Sequence, residues 1–277
     1  MQLRAPAKIN LSFQILGRRE DGFHEIETLM APISLFDGIT LMRAGAKGEI
    51  AFACDDPTLP TGDDNLAVRA ARLFMQATGV AGGIAIALQK SIPHGAGLAG
   101  GSSDAATVLL GLNRLFETRL PVAEMTGLAA EIGSDVPFFI HESAAVCRGR
   151  GELVNPASLA HASPLLLLKP SFGVPTPWAY ARWKDSKELA GIAYGPQEFG
   201  GHTFRNDLER PVFEKHLFLA RMKMWLLEQP EVGVALMSGS GSTIFAVLRD
   251  GADATELATR AKTELDPELW SCACETL

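Results

Sequence analysis

A glycine- and serine-rich stretch at residues 93–106, with the sequence PHGAGLAGGSSDAA, constrains this chain more than any other feature. We call it the glycine loop. Behind it, apolar residues recur with the one-face spacing of an amphipathic helix, at Ala105, Val108, Leu109, Leu112, Leu115 and Phe116. Ser102, Ser103 and Asp104 are therefore predicted to cap this helix or to lie in its first turn. A helix N-terminus presents free N–H groups and about half a positive charge, and glycines let a ligand approach the backbone. We predict a phosphate cradle; the alternative is a glycine-rich turn before an ordinary helix cap.

Length, composition and charge narrow the class of protein. A chain of 277 residues is long enough for two domains, and 47% hydrophobic with 21% charged residues is typical of a globular protein. A net charge of −7 and a pI of about 5.4 argue against nucleic acid or an anionic membrane as partner. A phosphate ligand must then be held by local positive groups. The mean hydropathy of +0.12 defines no apolar patch, so the oligomeric state is unknown.

The N-terminus lacks the apolar region of a signal peptide, and no apolar run approaches the length of a membrane span. We therefore expect a cytoplasmic protein whose four cysteines are reduced thiols. Cys272 and Cys274 alternate along a predicted C-terminal strand, without a second cysteine or histidine pair nearby in sequence. Core packing is the preferred interpretation over metal binding, and we predict no metal site.

Strict alternation at residues 7–16 predicts a strand with Lys8 and Asn10 side by side on its polar face. From the pattern alone, that face is expected to be solvated. After a charged turn at residues 17–22 a strand resumes, and a further strand pair is expected around residues 38–42 and 49–53.

Later segments of the first half carry clear helix signals. Asn65 is predicted to cap a helix that stops at Gly79, and a strand at residues 84–88 precedes Lys90. A further helix runs from Pro121 to Gly133. Asp135 follows in a turn, exposed at the edge of an element where sites tend to form.

The second half has a different order of elements. Strands are predicted at residues 165–169, 232–237, 243–248 and 269–274, with helices at 208–228 and 254–265. This β-α-β-β-α-β order is the ferredoxin-like signature. We place the domain boundary in the polar stretch at residues 155–164, which divides the chain into domains 1–158 and 159–277.

Several phosphate-binding and hydrolytic classes fail on spacing. No lysine follows the glycines, which excludes a Walker A loop. Residues 95–100 match G-x-G-x-x-G, but the acidic residue of a dinucleotide fold would fall near Glu117, still within the helix. Protein-kinase motifs and a G-x-S-x-G elbow are absent. The His-Glu pairs at residues 24–25 and 141–142 lack the second histidine of a zincin.

The glycine loop resembles the central motif of the GHMP kinases, and residues 6–11 and 239–243 resemble the first and third motifs of that family. This resemblance covers nearly the whole chain. It implies an α+β, two-domain GHMP kinase fold, with an N-terminal domain like domain 2 of ribosomal protein S5 and a C-terminal ferredoxin-like domain. It also implies ATP-dependent phosphorylation of an alcohol on a small molecule.

Three further segments, at residues 17–24, 132–139 and 173–177, are similar to those of family members that phosphorylate the 2-hydroxyl of a CDP-linked methylerythritol. The resemblance implies this substrate and ATP as co-substrate. Mg²⁺ is expected with ATP, although no carboxylate cluster identifies a protein ligand for it. The alternative is a GHMP kinase with another alcohol, such as mevalonate or homoserine.

The same resemblance assigns roles to single residues. Asp135 would be the catalytic base, Lys8 would keep it ionised and assist the hydroxyl, and Asn10 would bind the methylerythritol. Without the resemblance, Asp135 would be an ordinary aspartate in a helix-to-strand turn. For the cytidine end the resemblance implies Phe23, His24, Thr176, Pro177 and Tyr180.

At the nucleotide, the resemblance implies that ATP phosphates are wrapped by Gly95, Gly97, Gly100, Gly101, Ser102 and Ser103. Asn65, Lys90 and Asn113 would lie near the adenine, although Asn113 is equally well explained as a solvated helix position. Phe23 replaces the tyrosine usual in the family, and Tyr180 a phenylalanine, so stacking is kept at both positions. Gly239 and Gly241 would bring the second domain's backbone to the site; the alternative is a plain hairpin turn.

Overall fold

A computed structural model describes the whole chain, residues 1–277, as two β-sheets flanked by helices. The elements of the first half are β1 (Gln2–Arg18), β2 (His24–Arg43), β3 (Ile50–Cys54), α1 (Leu66–Thr78), β4 (Ile84–Gln89), α2 (Gly100–Leu115), α3 (Val122–Ile132), α4 (Val136–Ile140), β5 (Ala145–Gly149) and β6 (Leu153–Pro156). Those of the second half are β7 (Pro164–Lys169), α5 (Thr176–Arg182), a 3-10 turn (Trp183–Asp185), β8 (Gln197–Phe199), β9 (His202–Asn206), α6 (Glu209–Lys215), α7 (Leu217–Leu227), β10 (Val232–Met237), β11 (Ile244–Leu248), α8 (Ala254–Glu264) and β12 (Trp270–Glu275).

The larger sheet is built on the long antiparallel hairpin of β1 and β2, which pair from Gln2 opposite Thr40 to Arg18 opposite His24. Its strand order is β3-β4-β2-β1-β9-β8, and β5 and β6 extend β2 at one end. The strands expected at residues 38–42 and 49–53 are present, but they do not pair with each other. Residues 38–42 are the end of β2 and pair with β4, while β3 lies parallel to β4 on its far side.

The helix limits follow local capping. Asn65 accepts a hydrogen bond from the N–H of Ala67 at the start of α1, and Gly79 ends that helix in the left-handed conformation. In α2, Ala99 is left-handed at the N-cap, so the helix begins at Gly100 and Ser102 to Asp104 lie inside its first turns. The apolar run after Asp135 forms α4, so the predicted helix-to-strand turn is in fact a helix-to-helix turn.

The second sheet has the order β10-β11-β7-β12, with every neighbouring pair antiparallel. This order confirms the ferredoxin-like topology expected for the second half. Its helices α6, α7 and α8 cover one face, where Leu166 and Leu168 of β7 are buried. Leu165 and Leu167 alternate to the opposite face, which packs against the larger sheet.

Two cores bury β1, one between the two sheets and one under the helices of the first half. Ile9 and Leu11 of β1 pack with Leu167 and Phe245 of the second sheet, while Ala5 belongs to the core under α1 to α4. The two halves are therefore not independent layers. Moreover, β8 and β9 come from the second half but join the first sheet, β9 lying parallel to β1.

Residue 158 falls in the loop between β6 and β7, so a boundary there separates the two sheets along most of the chain. The strands β8 and β9 lie after this boundary in the chain but pair within the first sheet. We therefore propose domains 1–158 and 159–277 as a division of the chain that these two strands cross. None of the helices has the length and apolar character that crossing a membrane requires.

Two glycines in helix interiors have opposite surroundings and give a test of the packing. A Cβ added at Gly111 in α2 would lie 2.4 Å from Leu3 Cδ1 and 2.5 Å from Leu41 Cδ1, whereas one at Gly127 in α3 would meet nothing within 4 Å. We expect Gly111→Ala to lower the free energy of unfolding by about 1–3 kcal/mol through overpacking. Gly127→Ala is expected to raise it by up to about 1 kcal/mol through helix propensity. Urea denaturation of both variants measures the difference; a stabilised Gly111→Ala would contradict this packing.

Candidate active site

A cavity of about 420 Å³ lies where the two halves meet. Strands β1 and β2, the glycine loop, the turn before α4, helix α5 and the β10–β11 connection at residues 238–243, which we call the hairpin loop, all contribute to its wall. Most of the residues predicted for the site line it: Lys8, Asn10, Asn65, Lys90, Gly95, Gly97, Gly100, Gly101, Ser102, Asp135, Thr176 and Tyr180.

Lys8 lies at the centre of the cavity wall. Its Nζ donates to Asn10 Oδ1 at 2.7 Å and to Gly97 O at 3.1 Å, and it lies 3.8 Å from Asp135 Oδ2. Burial lowers the pKa of Lys8, and the carboxylate of Asp135 opposes that shift. The Asp135 side chain is 40% exposed, so its carboxylate faces the open cavity. The structure thus joins the two predicted catalytic residues.

The expected solvation of the polar face of β1 is wrong, because Lys8 and Asn10 are only 3% and 2% exposed. The hairpin loop covers them: a Cβ on Gly239 would lie 3.5 Å from Lys8 Nζ and 3.3 Å from Asn10 Oδ1. The Asn10 amide donates in turn to Thr28 Oγ1 on β2 at 2.9 Å. Strand periodicity reports the two faces of a strand but not what packs over each of them.

The glycine loop is in direct contact with the hairpin loop. Gly97 has a φ of 76°, and a Cβ there would lie 2.1 Å from Ser238 O, so only glycine fits this approach. Ser238 Oγ donates to Gly97 O at 3.0 Å, and Thr243 N donates to Ala96 O at 3.2 Å. Gly239 therefore lies both in a hairpin turn and against the site, as the resemblance implies.

The N-terminus of α2 points into the cavity without a side chain to cap it. Its first N–H groups and the helix dipole favour an anion at Gly100, Gly101 and Ser102. Ser103 lies one residue further on, fully buried, and its hydroxyl has no hydrogen-bond partner in the protein. Asn65, from the α1 N-cap, forms the neighbouring wall, with its amide nitrogen donating to Pro60 O.

Lys90 lies between two buried carboxylates. Its Nζ donates to Asp104 Oδ2 at 2.8 Å and to Asp37 Oδ2. Asp37 also accepts the backbone N–H groups of Ser91 and Ile92, at 2.6 and 2.9 Å, and so fixes the entry to the glycine loop. The charge of Lys90 is thus already paired. No sequence pattern pointed to Asp37, which lies 53 residues before Lys90.

Burial raises the pKa of Asp104 to about 7, against the opposing charge of Lys90. The second oxygen of Asp104 is buried without a hydrogen-bond partner, which adds to the cost of its charged form. Burial works to lower the pKa of Lys90, but the carboxylates of Asp104 and Asp37 outweigh it, and the net direction is upward.

Aromatic side chains gather around Tyr180, which lines the cavity, while His24 and Trp183 lie outside the lining. His24 stacks on Tyr180, with ring centroids 5.2 Å apart, and meets the edge of Trp183 at 6.0 Å. Phe23 is 51% exposed and lies outside the cavity lining, but the guanidinium of Arg150, which does line it, is 4.8 Å from the Phe23 ring centre. Sequence reasoning missed Arg150 and Trp183, which belong to no motif.

Three further predicted residues lie on helices: Thr176 and Pro177 on α5, and Asn113 on α2. Thr176 shares a hydrogen bond of 2.8 Å with Ser240 of the hairpin loop, and Pro177 follows it in the first turn of α5, behind the lining. Asn113 is not brought to the cavity, since α2 carries it about 20 Å along the helix axis from Gly100. Its side chain bonds Thr118 and Leu120 and closes the loop after the helix.

Nowhere in the chain do three or more histidine, cysteine, aspartate or glutamate side chains come together in a way that could hold a metal ion. Near the glycine loop, the Ser103 hydroxyl and Asp104 Oδ1 are buried without a hydrogen-bond partner, and the Ser102 hydroxyl and the Asp64 and Asp135 carboxylates line the cavity.

This chain belongs to the GHMP kinase family. The profile described as GHMP kinases N terminal domain matches residues 65–143, and the one described as GHMP kinases C terminal matches residues 184–266. The two-domain fold predicted from the three motifs is thereby confirmed.

Within the family, the chain is similar to 4-diphosphocytidyl-2-C-methyl-D-erythritol kinases. It is 42% identical over 271 residues to that of Methylacidiphilum infernorum, covering 96% of this chain and 93% of the relative. It is 39% identical over 296 residues to that of Synechocystis sp., covering 96% and 93%. A crystal structure of 4-(cytidine 5'-diphospho)-2C-methyl-D-erythritol kinase matches with a TM-score of 0.81 and 36% identity over 100% of this chain and 99% of that chain.

A homoserine kinase from Cytophaga hutchinsonii has a TM-score of 0.74 but only 18% identity, with coverage of 100% of this chain and 94% of that one. That similarity shows the shared fold alone.

The buried carboxylates around Lys90 predict a pH dependence of stability. The pKa of Asp104 rises from 3.8 to about 7 on folding, so the folded state favours the protonated carboxyl. This contribution is complete below pH 3.8 and is lost as the pH rises through 7. We expect the free energy of unfolding to fall by about 1 kcal/mol more in the wild type than in Asp104→Asn between pH 6 and 8. Urea denaturation at both pH values, with the exposed Asp63→Asn as control, checks this; parallel curves for all three proteins would contradict it.

Proposed function

We propose that this protein transfers the γ-phosphoryl group of ATP to the 2-hydroxyl of 4-diphosphocytidyl-2-C-methyl-D-erythritol, a step of non-mevalonate isoprenoid precursor biosynthesis. The observation that carries this proposal is the position of the Lys8–Asp135 pair. It lies in one cavity that is lined by the glycine loop and by Tyr180, on which His24 stacks. The similarity to 4-diphosphocytidyl-2-C-methyl-D-erythritol kinases over nearly the full chain supports it.

ATP phosphates would lie against the glycine loop and the start of α2. Gly95 and Gly97 are left-handed, and the uncapped helix N-terminus supplies N–H donors. Because Lys90 is held by Asp37 and Asp104, its role at the nucleotide would be to form the wall rather than to neutralise a phosphate. Asn65 would lie beside the adenosine, next to Lys90 in the same wall.

Asp135 would act as the base for the attacking alcohol. The substrate oxygen bonds to the γ-phosphorus as the bond from that phosphorus to the β,γ-bridging oxygen breaks, and ADP leaves. The hydroxyl proton passes to the Asp135 carboxylate. Lys8 Nζ lies 3.8 Å from Asp135 Oδ2. Its charge would stabilise the negative charge on the attacking oxygen and on the transferring group.

Mg²⁺ would enter with ATP, held mainly by the phosphates and water, and would neutralise charge on the transferring group. The hydroxyls of Ser102 and Ser103 fit such an ion, since the Ser103 oxygen is buried without a protein partner.

The cytidine end would use the aromatic cluster. Tyr180 offers a ring face already ordered by His24, and the imidazole offers nitrogen atoms to a base. Arg150 at the rim would meet the diphosphate, where Phe23 holds its guanidinium. Thr176 and Pro177 begin the helix that carries Tyr180, so they would position the ring.

We place the reaction in the cytoplasm, as predicted. All four cysteines are free thiols, which suits a reducing compartment. The partners proposed are the two small-molecule substrates alone.

Replacing the proposed base is the direct test of mechanism. We expect Asp135→Asn to lower kcat by about 10²–10⁴, because an amide cannot accept the hydroxyl proton. Its ATP-induced rise in melting temperature should stay that of the wild type, since the glycine loop is untouched. Glu198→Gln, a surface carboxylate-to-amide change on β8, serves as control and should keep full turnover. Unchanged kcat in Asp135→Asn would remove Asp135 from the mechanism.

Turnover of competing alcohols tests the substrate. With ATP in excess, we expect the CDP-linked methylerythritol to be phosphorylated with a kcat/KM at least about 10³-fold above mevalonate or homoserine, because neither rival has a base to stack on Tyr180. Coupled detection of ADP measures all three. Faster turnover of either rival would overturn the substrate assignment while leaving the kinase class intact.

A further inference from the structure

Three hydroxyls of the hairpin loop help to seat it over Lys8: Ser238 Oγ donates to Gly97 O, Ser240 Oγ shares a hydrogen bond with Thr176, and Ser242 Oγ donates to Phe172 O. Gly239 and Gly241 are both left-handed, with φ of 54° and 83°. Such residues are the most mobile in an unrestrained chain. A further support, at the start of the loop, comes from Asn206 at the end of β9.

Asn206 is 4% exposed, and all its amide atoms are engaged. Its Nδ2 donates to Met237 O and to Gly239 O, each at 2.7 Å, and its Oδ1 accepts the N–H of Leu208 at 2.9 Å. Only a carboxamide of this length provides two donors and one acceptor in that arrangement. Aspartate has the shape but no donors, and glutamine is one methylene longer.

The strand that carries Asn206 belongs to the first sheet. In the parallel pairing of β9 with β1, Asn206 lies opposite Phe13, three residues along β1 from Asn10. The hairpin loop belongs to the second sheet. Asn206 therefore joins the strand that bears Lys8 to the loop that covers it, across the junction of the two halves.

A second buried group holds Met237 through the peptide group that precedes it. Glu209 is fully buried, accepts the N–H of Met237 at 2.9 Å and pairs with Lys223 Nζ at 2.6 Å. Met237 is thus held through its N–H by Glu209 and through its carbonyl by Asn206. The hairpin loop begins at the next residue.

The carbonyl of Gly97 links this support to the reacting groups. It accepts both Ser238 Oγ of the hairpin loop, at 3.0 Å, and Lys8 Nζ, at 3.1 Å. A shift of the hairpin loop would therefore displace the Gly97 carbonyl, which accepts from Lys8 Nζ. It would also move Gly239 away from Asn10.

From these contacts we infer that Asn206 is a positioning residue for phosphoryl transfer: it holds the hairpin loop against Lys8 and the glycine loop. It touches neither substrate. The inference rests on the proposed function. Asn206 supports the hairpin loop, which contains the third motif, although Asn206 itself lies outside that motif.

Asn206→Asp is the main test, because it keeps the shape and places a carboxylate against two carbonyl oxygens. We expect kcat at pH 8 to fall about 10–100-fold, as displacements of about 1 Å do in positioned sites, with the KM for ATP within about twofold of wild type. On lowering the pH to 6, the ratio of variant to wild-type kcat should recover, since a protonated carboxyl donates to one carbonyl. Asn206→Ala, which adds no repulsion, should lose less kcat, and its ratio should not change with pH.

The neighbouring Asp207→Asn is the matched control. Asp207 Oδ2 accepts the N–H of Ile15 at 2.9 Å and so fastens β9 to β1, but it does not touch the hairpin loop. The Asp207→Asn variant should have a lower melting temperature than the wild type and the same kcat. If Asn206→Asp loses no more kcat than Asp207→Asn at an equal loss of melting temperature, or if its ratio does not depend on pH, the inference is wrong.

A readout without substrate separates this inference from the proposed function. Hydrogen–deuterium exchange of a peptide covering residues 238–243 should be faster in Asn206→Asp than in wild type or Asp207→Asn. Peptides from α1 and α3 should exchange as in wild type, which shows that the variant is folded. Unchanged exchange at residues 238–243 would overturn the inference, even for a protein that turns over a different alcohol.

Discussion

The buried ammonium of Lys8 is the interaction on which the rest of the site depends. Burying a charge is unfavourable unless acceptors surround it, and Lys8 finds them on three separate segments: Asn10 on its own strand, Gly97 in the glycine loop and Asp135 in the turn before α4. Each segment is fixed by different parts of the sheet and helices. The lysine is therefore stable only when all three are in place, and assembling the site is part of completing the fold.

This requirement explains why the proposed active site lies at the junction of the two sheets. Strand β1 is buried on both faces, by the helices of the first half and by the second sheet, and β9 returns from the second half to pair with it. Neither half alone would cover Lys8 or bring the hairpin loop to Gly97. A cavity at such a junction can be lined from both sides by backbone as well as side chains, which suits a ligand with phosphates at one end and a base at the other.

How much could be predicted from the sequence depends on how far apart in the chain the interacting residues lie. The strands, the helix at the glycine loop and the caps at Asn65 and Gly79 depend on neighbours in the chain, so periodicity and cap residues found them. The resemblance supplied Lys8 and Asp135, which pattern alone would have left as a solvated strand residue and a turn residue. Asp37 and Asn206 carried no signal, because their partners lie 53 residues away for Asp37 and 31 and 33 for Asn206, and are met only through strand pairing.

The electrostatics of the cavity show how a chain of net charge −7 could bind the polyphosphate of the proposed co-substrate. Lys90, the lysine nearest the glycine loop in sequence, is offset by Asp37 and Asp104 and adds little free positive charge. The attraction for the proposed ligand would then come from the uncapped N-terminus of α2 and from the partly compensated Lys8. Backbone N–H groups need no counter-ion and do not titrate, so they bind phosphate at a fixed geometry whatever the pH. The carboxylate of Asp135, which is 40% exposed, could then accept the hydroxyl proton in the proposed reaction without weakening the binding of the nucleotide.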